Sequence, residues 1–432
     1  MGTKLERISQ LSKENPKMVF TSIYHLINEE LLRQCHEEMD GRKAVGIDGI
    51  TKEEYGRNLD ENLKKLVERL KDKSYRPLPA KRVEIPKDNG KTRPLNIYCY
   101  EDKLVQDAFR RILEAVFEPM FYDEMNGFRP GKGCHAALRQ LNGMLEWKKT
   151  SWVLDADVKG FFDHLDHGWI VRFVGSRIND PNMKRLLVRM LKGGIMENCI
   201  INETEEGSGQ GSVCSPIIAN IYMHYVLIWW FKERMQPFLK GFSGLVVYAD
   251  DFVACFQYKE DAYECLKHLR RRMMHFRLEL EENKTRLIEF GRFAADNRQR
   301  RGEGKPETFT FLGFTHYCSK GRNGKFRVKR KTSRKKFAKK CKELNLKIKA
   351  MRTWDLNKIF KRLNQILVGY YHYYGITDNF KAIAKMKDKV QKMLFYWLNH
   401  RSQRESYTWD SFNKLLTVYP LAKPRIYVSI YQ

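Results

Sequence analysis

Asp250 and Asp251 separate two β-rich runs, Leu245-Val246-Val247-Tyr248 and Phe252-Val253-Ala254-Cys255-Phe256. Apolar runs around a short polar break predict a hairpin, here with a three-residue turn Ala249-Asp250-Asp251. Two carboxylates on a turn between buried strands are costly without a partner. Asp-Asp is also an ordinary turn pair, so the hairpin alone leaves a plain polar turn and a cation site both open. A hard cation such as Mg²⁺ takes carboxylate oxygens together with substrate phosphates, and so needs only two or three protein acids. Upstream, Trp152 to Val158 (WVLDADV) reads as a strand. Its Leu154, Ala156 and Val158 point one way, and Val153, Asp155 and Asp157 the other. That strand can supply a third acid, Asp155 or Asp157, which lie about 6.7 Å apart along one face.

The charge balance says what such a site would face. Eighty Lys plus Arg against 52 Asp plus Glu give a net +28 in 432 residues. On a chain that is 42% hydrophobic this excludes general disorder and points to a polyanion. Nucleic acid is the first candidate and an anionic membrane surface the second. No apolar run reaches the ~18 residues of a spanning helix; the longest, 217–231, is broken by Asn220 and His224. The N-terminus has no hydrophobic signal core. Nine cysteines form no CxxC pair, and the histidines show no metal spacing, which predicts a reduced, cytoplasmic protein without zinc or disulfides.

Three regions differ. Residues 1–80 are charged and helix-like, 81–320 mix short β-type runs with amphipathic helices, and 321–432 are strongly basic and helical. Residues 101–117 carry Leu104, Val105, Ala108, Phe109, Ile112, Leu113, Val116 and Phe117 on one helical face. Ser215-Pro216 predicts a capped helix start running to about Arg234. Residues 296–307 read as a loop. The tail shows helical patterns over 332–351, then around Ile359 to Tyr374, then around Ile383 to Trp397. Residues 321–350 hold fourteen Lys or Arg and one acid, Glu343. Each phosphate contact adds to affinity and to salt dependence, which makes Arg327, Lys329, Arg330, Lys331, Arg334, Lys335 and Lys336 the RNA-backbone candidates. Tyr370 and Tyr374 fit a helical core; Tyr371 and Tyr373 fit either core or base stacking.

YADD between β-runs, with DADVKGFFD upstream, resembles the palm of a reverse transcriptase, and more closely those encoded by group II introns, the maturases. The resemblance runs over nearly the whole chain. Residues 45–49 (VGIDG) are similar to the family's N-terminal loop, and 82–93 (RVEIPKDNGKTR) to its fingers motif. The blocks 126–131 (NGFRPG), 209–211 with 215–220 (GQG, SPIIAN) and 311–314 (FLGF) follow in order. Residues 369–375 (GYYHYYG) resemble the maturase thumb.

The resemblance implies an α+β, right-hand polymerase with fingers, an antiparallel palm and a helical thumb. It implies that Asp157, Asp250 and Asp251 hold two Mg²⁺ ions and carry the chemistry, with Asp155 as the rival for Asp157. Phe162, five positions after Asp157, would then exclude a ribose 2′-hydroxyl. Lys87 and Arg93 would grip the incoming dNTP triphosphate, and Gln210 would sit beside nucleotide and template. Lys284 would help neutralise pyrophosphate, though a surface lysine fits the sequence nearly as well. The partners implied are intron RNA, an RNA template and a DNA primer or target. Two departures stand out: Gly209 where many relatives have Pro, and Val247 where many have Arg. No Cys/His cluster follows the thumb, so no endonuclease is expected. A maturase acting chiefly as an RNA-folding protein, and a free-standing reverse transcriptase of antiphage defence or spacer acquisition, are the alternative readings.

Overall fold

The computed structural model describes residues 2–86, 92–197, 200–202, 206–321, 323–401 and 406–431. Lys87 lies outside them. In the N-terminal region, helices α1 (Gly2–Glu14), α2 (Glu29–Glu38), α3 (Lys52–Arg57) and α4 (Leu59–Lys71) lead to strands β1 (Ala80–Pro86) and β2 (Thr92–Ile97). Next comes α5 (Tyr100–Phe117), whose eight apolar residues named above are all buried. Burial extends beyond that stripe, because α1, α2 and α9 (Ser215–Met223) all pack against α5. Its buried polar groups are accordingly paired. Asp102 accepts from the Tyr75 hydroxyl and from the Leu78 N–H, and the Gln106 side chain accepts from the Val213 N–H at 3.0 Å.

Strands β1 and β2 form an antiparallel pair that joins β4 (Ile195–Glu197) and β5 (Ile200–Asn202) in one sheet, the fingers sheet. The palm sheet is antiparallel throughout, in the order β6 (Ser243–Tyr248), β7 (Asp251–Phe256), β3 (Trp152–Asp157), β8 (Arg286–Glu289). Both faces are covered over most of its length. Leu154, Ala156, Phe252 and Ala254 face the large core built on α5 and α9. Val153, Val246, Val253 and Ile288 face a second core shared with α6 (Cys134–Trp147) and with a third sheet, β9 (Phe309–Phe311), β10 (Phe314–Lys320) and β11 (Phe326–Thr332). Helices α12 (Arg334–Met351), α13 (Leu356–Tyr374) and α14 (Phe380–Leu398) bury a separate thumb core, as the tail periodicity predicts. Among the described residues no helix is long and apolar enough to cross a membrane.

Several local expectations are corrected. Residues 326–332 are a strand paired with β10, not the start of the basic helices. The alternation of buried Val328, Arg330 and Thr332 with more exposed neighbours shows why. Residues 294–300 form a short helix that takes up the first part of the expected 296–307 loop. The hairpin turn has two residues, since Tyr248 pairs with Asp251. Ser215 is the first residue of its helix, not the cap. Its hydroxyl donates to the Ser208 and Gly209 carbonyls instead.

Asn379, at the start of α14 and 1% exposed, joins thumb to palm side. It accepts from the Thr332 N–H and donates to the Thr332 hydroxyl and the Tyr374 carbonyl, each at 2.8 Å. Removing it takes the partner from the buried Thr332 N–H and hydroxyl, so Asn379→Ala should lower unfolding free energy by about 2–3 kcal/mol, measured by urea denaturation. A loss within the scatter of a surface substitution would contradict this role.

Candidate active site

The register of the palm sheet decides which acids meet. Asp157, the last residue of β3, lies directly opposite Asp251, the first of β7. Asp250 occupies the turn beside them. Asp155 lies opposite Val253 and Arg286, and its carboxylate is 3.5 Å from the Arg286 guanidinium. The strand therefore delivers Asp157, rather than its rival, to the hairpin acids. By alternation Asp157 and Asp251 share the face that carries Val153 and Val253 deeper in the sheet, and Asp250 lines the adjoining cleft with Asp157.

The hairpin tip is held from one side by residues 124–127. The Asn126 N–H donates to the Val247 carbonyl, and the Val247 N–H to the Glu124 carbonyl, both at 2.9 Å. Gly127 lies so close that a Cβ there would collide with the Ala249 nitrogen. Ala249 itself has φ +57°, a conformation unfavourable for a residue with a side chain. The tip is thus a constrained turn backed by a residue that only glycine can be.

Lys284 reaches the carboxylates because its segment is tied to β3. The Glu281 N–H donates to the Asp157 carbonyl at 2.8 Å, and the Lys284 ammonium then hydrogen-bonds the Asp157 carboxylate. Desolvation opposes the Lys284 charge, but Asp157 and Asp251 outweigh it and hold its pKa up. The acids move the other way. Desolvation, then the Asp157 charge, raises the Asp250 pKa. Asp251 is pushed up to about 7, first by desolvation and then by Asp250 and Asp157. Asp251 is nonetheless exposed, at the start of β7 next to the cleft lined by Asp157 and Asp250. Asp155 is pushed up to about 6 by burial, against the pull of Arg286. Like charges gathered in a partly dry cleft make a place where a cation is favoured.

A cleft of about 550 Å³ opens beside the acids, a size suited to a small-molecule ligand. Arg93, Phe162, Gln210 and Lys284 line it together with Asp157 and Asp250. Phe161 is buried in the core, while Phe162 turns outward and meets Phe128 edge-on, with ring centroids 6.4 Å apart. Phe128 is a cleft residue that the sequence reading left unassigned; its position two residues after Asn126 in a recognised block was the available signal. Gln210 is fixed by its backbone, whose carbonyl accepts from the Asn96 N–H at 2.6 Å. Gly209 has φ +62° and abuts the Tyr98 hydroxyl. Proline cannot adopt that φ, so the departure at this position changes the turn itself.

The basic candidates divide. Lys331, Arg334, Lys335 and Lys336 are exposed, and Arg327 and Lys329 are half-exposed. Arg330 is fully buried and donates to Asn142, which removes it from the RNA-facing set. Strand alternation places it on the inward face with Val328. Tyr371 is also buried, its hydroxyl on the Ala422 carbonyl, and Tyr373 stacks on Phe314 and donates to the Leu312 carbonyl. Both serve packing rather than base stacking.

Comparison with known proteins matches residues 85–316, more than half of the chain, to the family described as Reverse transcriptase (RNA-dependent DNA polymerase). The chain belongs to the reverse transcriptase family. Residues 334–415 match the group II intron, maturase-specific domain. The group II intron-encoded protein LtrA of Lactococcus lactis subsp. cremoris is 38% identical over 222 residues, 51% of this chain and 37% of that protein. The uncharacterized 91 kDa protein in cob intron of Schizosaccharomyces pombe is 31% identical over 224 residues, 51% of this chain and 28% of that protein. Protein YkfC of Escherichia coli is 28% identical over 67% of this chain and 80% of its own length. The chain thus spans little more than a third of the length of its LtrA relative.

The Asp251 shift fixes a sign. Desolvation and the neighbouring Asp250 and Asp157 push the Asp251 pKa up to about 7 from an ordinary 3.8. Between these values the native state binds more protons than the unfolded one, so stability falls as pH rises. Asp251→Asn removes that loss. Thermal unfolding in chelator should show the variant gaining melting temperature at pH 8 and little at pH 4. An equal gain at both would contradict the assigned burden.

Proposed function

We propose that this reverse transcriptase copies RNA into DNA by nucleotidyl transfer and grips a group II intron RNA with its thumb, assisting splicing and mobility. The observation that carries the reading is the pairing of Asp157 with Asp251, beside Asp250, at the mouth of a nucleotide-sized cleft. The donor set is all oxygen and all acidic, which fits Mg²⁺. Among the described residues no three His, Cys, Asp or Glu side chains form a ready-made metal cage; substrate phosphates are the natural remaining ligands. Asp157, Asp250 and Asp251 would hold two Mg²⁺ ions, which supply activation of the attacking primer oxygen and stabilisation of the departing pyrophosphate.

The chain's own residues do the rest. Arg93 offers a planar fork to the triphosphate. Phe162, braced by Phe128, presents a ring edge where a 2′-hydroxyl would project. Lys284 leaves Asp157 to meet negative charge that develops on phosphoryl oxygens. Lys87 joins Arg93 in the same role from the fingers. Lys329, Lys331, Arg334, Lys335 and Lys336, with Arg327, track the RNA backbone. The maturase-specific match favours an intron-linked role over a free-standing enzyme. The site of action is the cytoplasm.

Primer extension on an RNA template tests this. Asp250→Asn combined with Asp251→Asn should reduce extension by more than ~10³-fold; retained extension would overturn the assignment. Phe162→Val should raise use of rNTP relative to dNTP on the order of tenfold or more, and an unchanged ratio would remove Phe162 from sugar selection. Neutralising Lys331, Arg334, Lys335 and Lys336 together should flatten the salt dependence of RNA binding, by about 0.7–0.9 in log–log slope per lost contact. An unaltered slope would place the RNA elsewhere.

A further inference from the structure

Helix α9 touches both halves of the site without contributing a group to the reaction. At its N-terminus the Ser215 hydroxyl donates to the Ser208 and Gly209 carbonyls and so holds the turn that presents Gln210. Five residues on, Asn220 is 1% exposed, and its side-chain amide donates to the Gly127 carbonyl at 2.9 Å. Gly127 is the residue packed against the Ala249 nitrogen. Asn126, fully buried, donates from its backbone to Val247 and from its side chain to Gln140. A continuous path therefore runs from α9 through Asn220 and Gly127 to the positive-φ residue that immediately precedes Asp250.

We infer that Asn220 is a positioning residue for the catalytic carboxylates, holding Gly127 against the Ala249 turn and thereby fixing the height of Asp250 and Asp251 over Asp157. The inference rests on the polymerase reading above. A left-handed alanine persists only where its surroundings enforce it. The contact that enforces it here is the Gly127 backbone, and its one side-chain hydrogen bond from α9 is Asn220. The turn before Gln210 depends on Ser215 instead, so loss of Asn220 should disturb the metal side of the site while sparing the nucleotide side.

The test compares Asn220→Ala and Asn220→Asp with Tyr222→Phe. Tyr222 lies on the same helix, is fully buried, and donates to the Phe276 carbonyl at 2.7 Å; its loss lowers stability without touching the path. Melting temperature is followed during Mg²⁺ titration, and primer extension is followed in parallel. The Asn220 variants should need about fivefold or more Mg²⁺ to reach half of the metal-induced stabilisation. Turnover should fall about tenfold or more, with the dNTP KM nearly unchanged. Tyr222→Phe should lower the melting temperature and leave the Mg²⁺ midpoint in place. Asn220 variants that behave like Tyr222→Phe would overturn the inference. Should they not fold, Asn220→Ser, a smaller polar side chain too short to keep the bond to the Gly127 carbonyl, must show the raised midpoint; an unchanged midpoint there overturns it equally. A parent chain that extends no primer would defeat the polymerase reading, while the Mg²⁺ midpoints would still judge Asn220.

Discussion

The site depends on the antiparallel register between β3 and β7. Side chains alternate across a sheet with period two, so a slip of one residue would send Asp157 into the apolar core and bring Ala156 to the cleft. The register is protected by what lies deeper: Leu154 and Ala156 packed on one side, Val153 and Val253 on the other. Covering both faces fixes the strands; ending the cover at Asp157 and Asp251 opens the cleft. The same two cores thus hold the sheet and leave its acidic end unfilled.

That end is electrostatically unfavourable by itself. Asp250 and Asp251 resist ionisation, and Lys284 compensates only in part. A protein with a large excess of cations has nonetheless gathered carboxylates where few cations reach them. Arg93 and Lys284 line the cleft with the acids, whereas Lys331, Arg334, Lys335 and Lys336 stand exposed at the entry to the thumb. On the proposed reading the cleft serves catalysis and the exposed thumb run serves polyanion binding, and the +28 of the whole chain describes the second far more than the first.

Much of this was legible in the sequence, and the rest failed for identifiable reasons. The strands around DADV and YADD, the buried face of α5 and the thumb helices follow from periodicity, because each buries a continuous apolar set. Arg330 was misread because a run of like charges hides a period-two pattern: Arg327, Lys329 and Lys331 face outward, whereas Val328, Arg330 and Thr332 face inward. The same run concealed β11 inside a region read as helical. Ser215 has the composition of a cap, yet its hydroxyl serves loop carbonyls that no local pattern could reveal. The link from Asn220 to Gly127 joins residues 93 positions apart, and only the fold brings them together. Asp157 was chosen over Asp155 by resemblance; register gives that choice a physical basis.

On the reading proposed above, Asp157 and the two hairpin acids act as one cation-binding unit on bound nucleic acid. This is tested most directly by Mn²⁺ titration, followed by electron paramagnetic resonance, of the chain carrying an RNA template, a DNA primer and a non-hydrolysable dNTP. The account predicts about two bound ions per chain, with Asp157→Asn losing binding despite an intact fold and intact RNA affinity. Mn²⁺ binding that is absent in the parent complex, or unchanged in the Asp157→Asn variant, would contradict it.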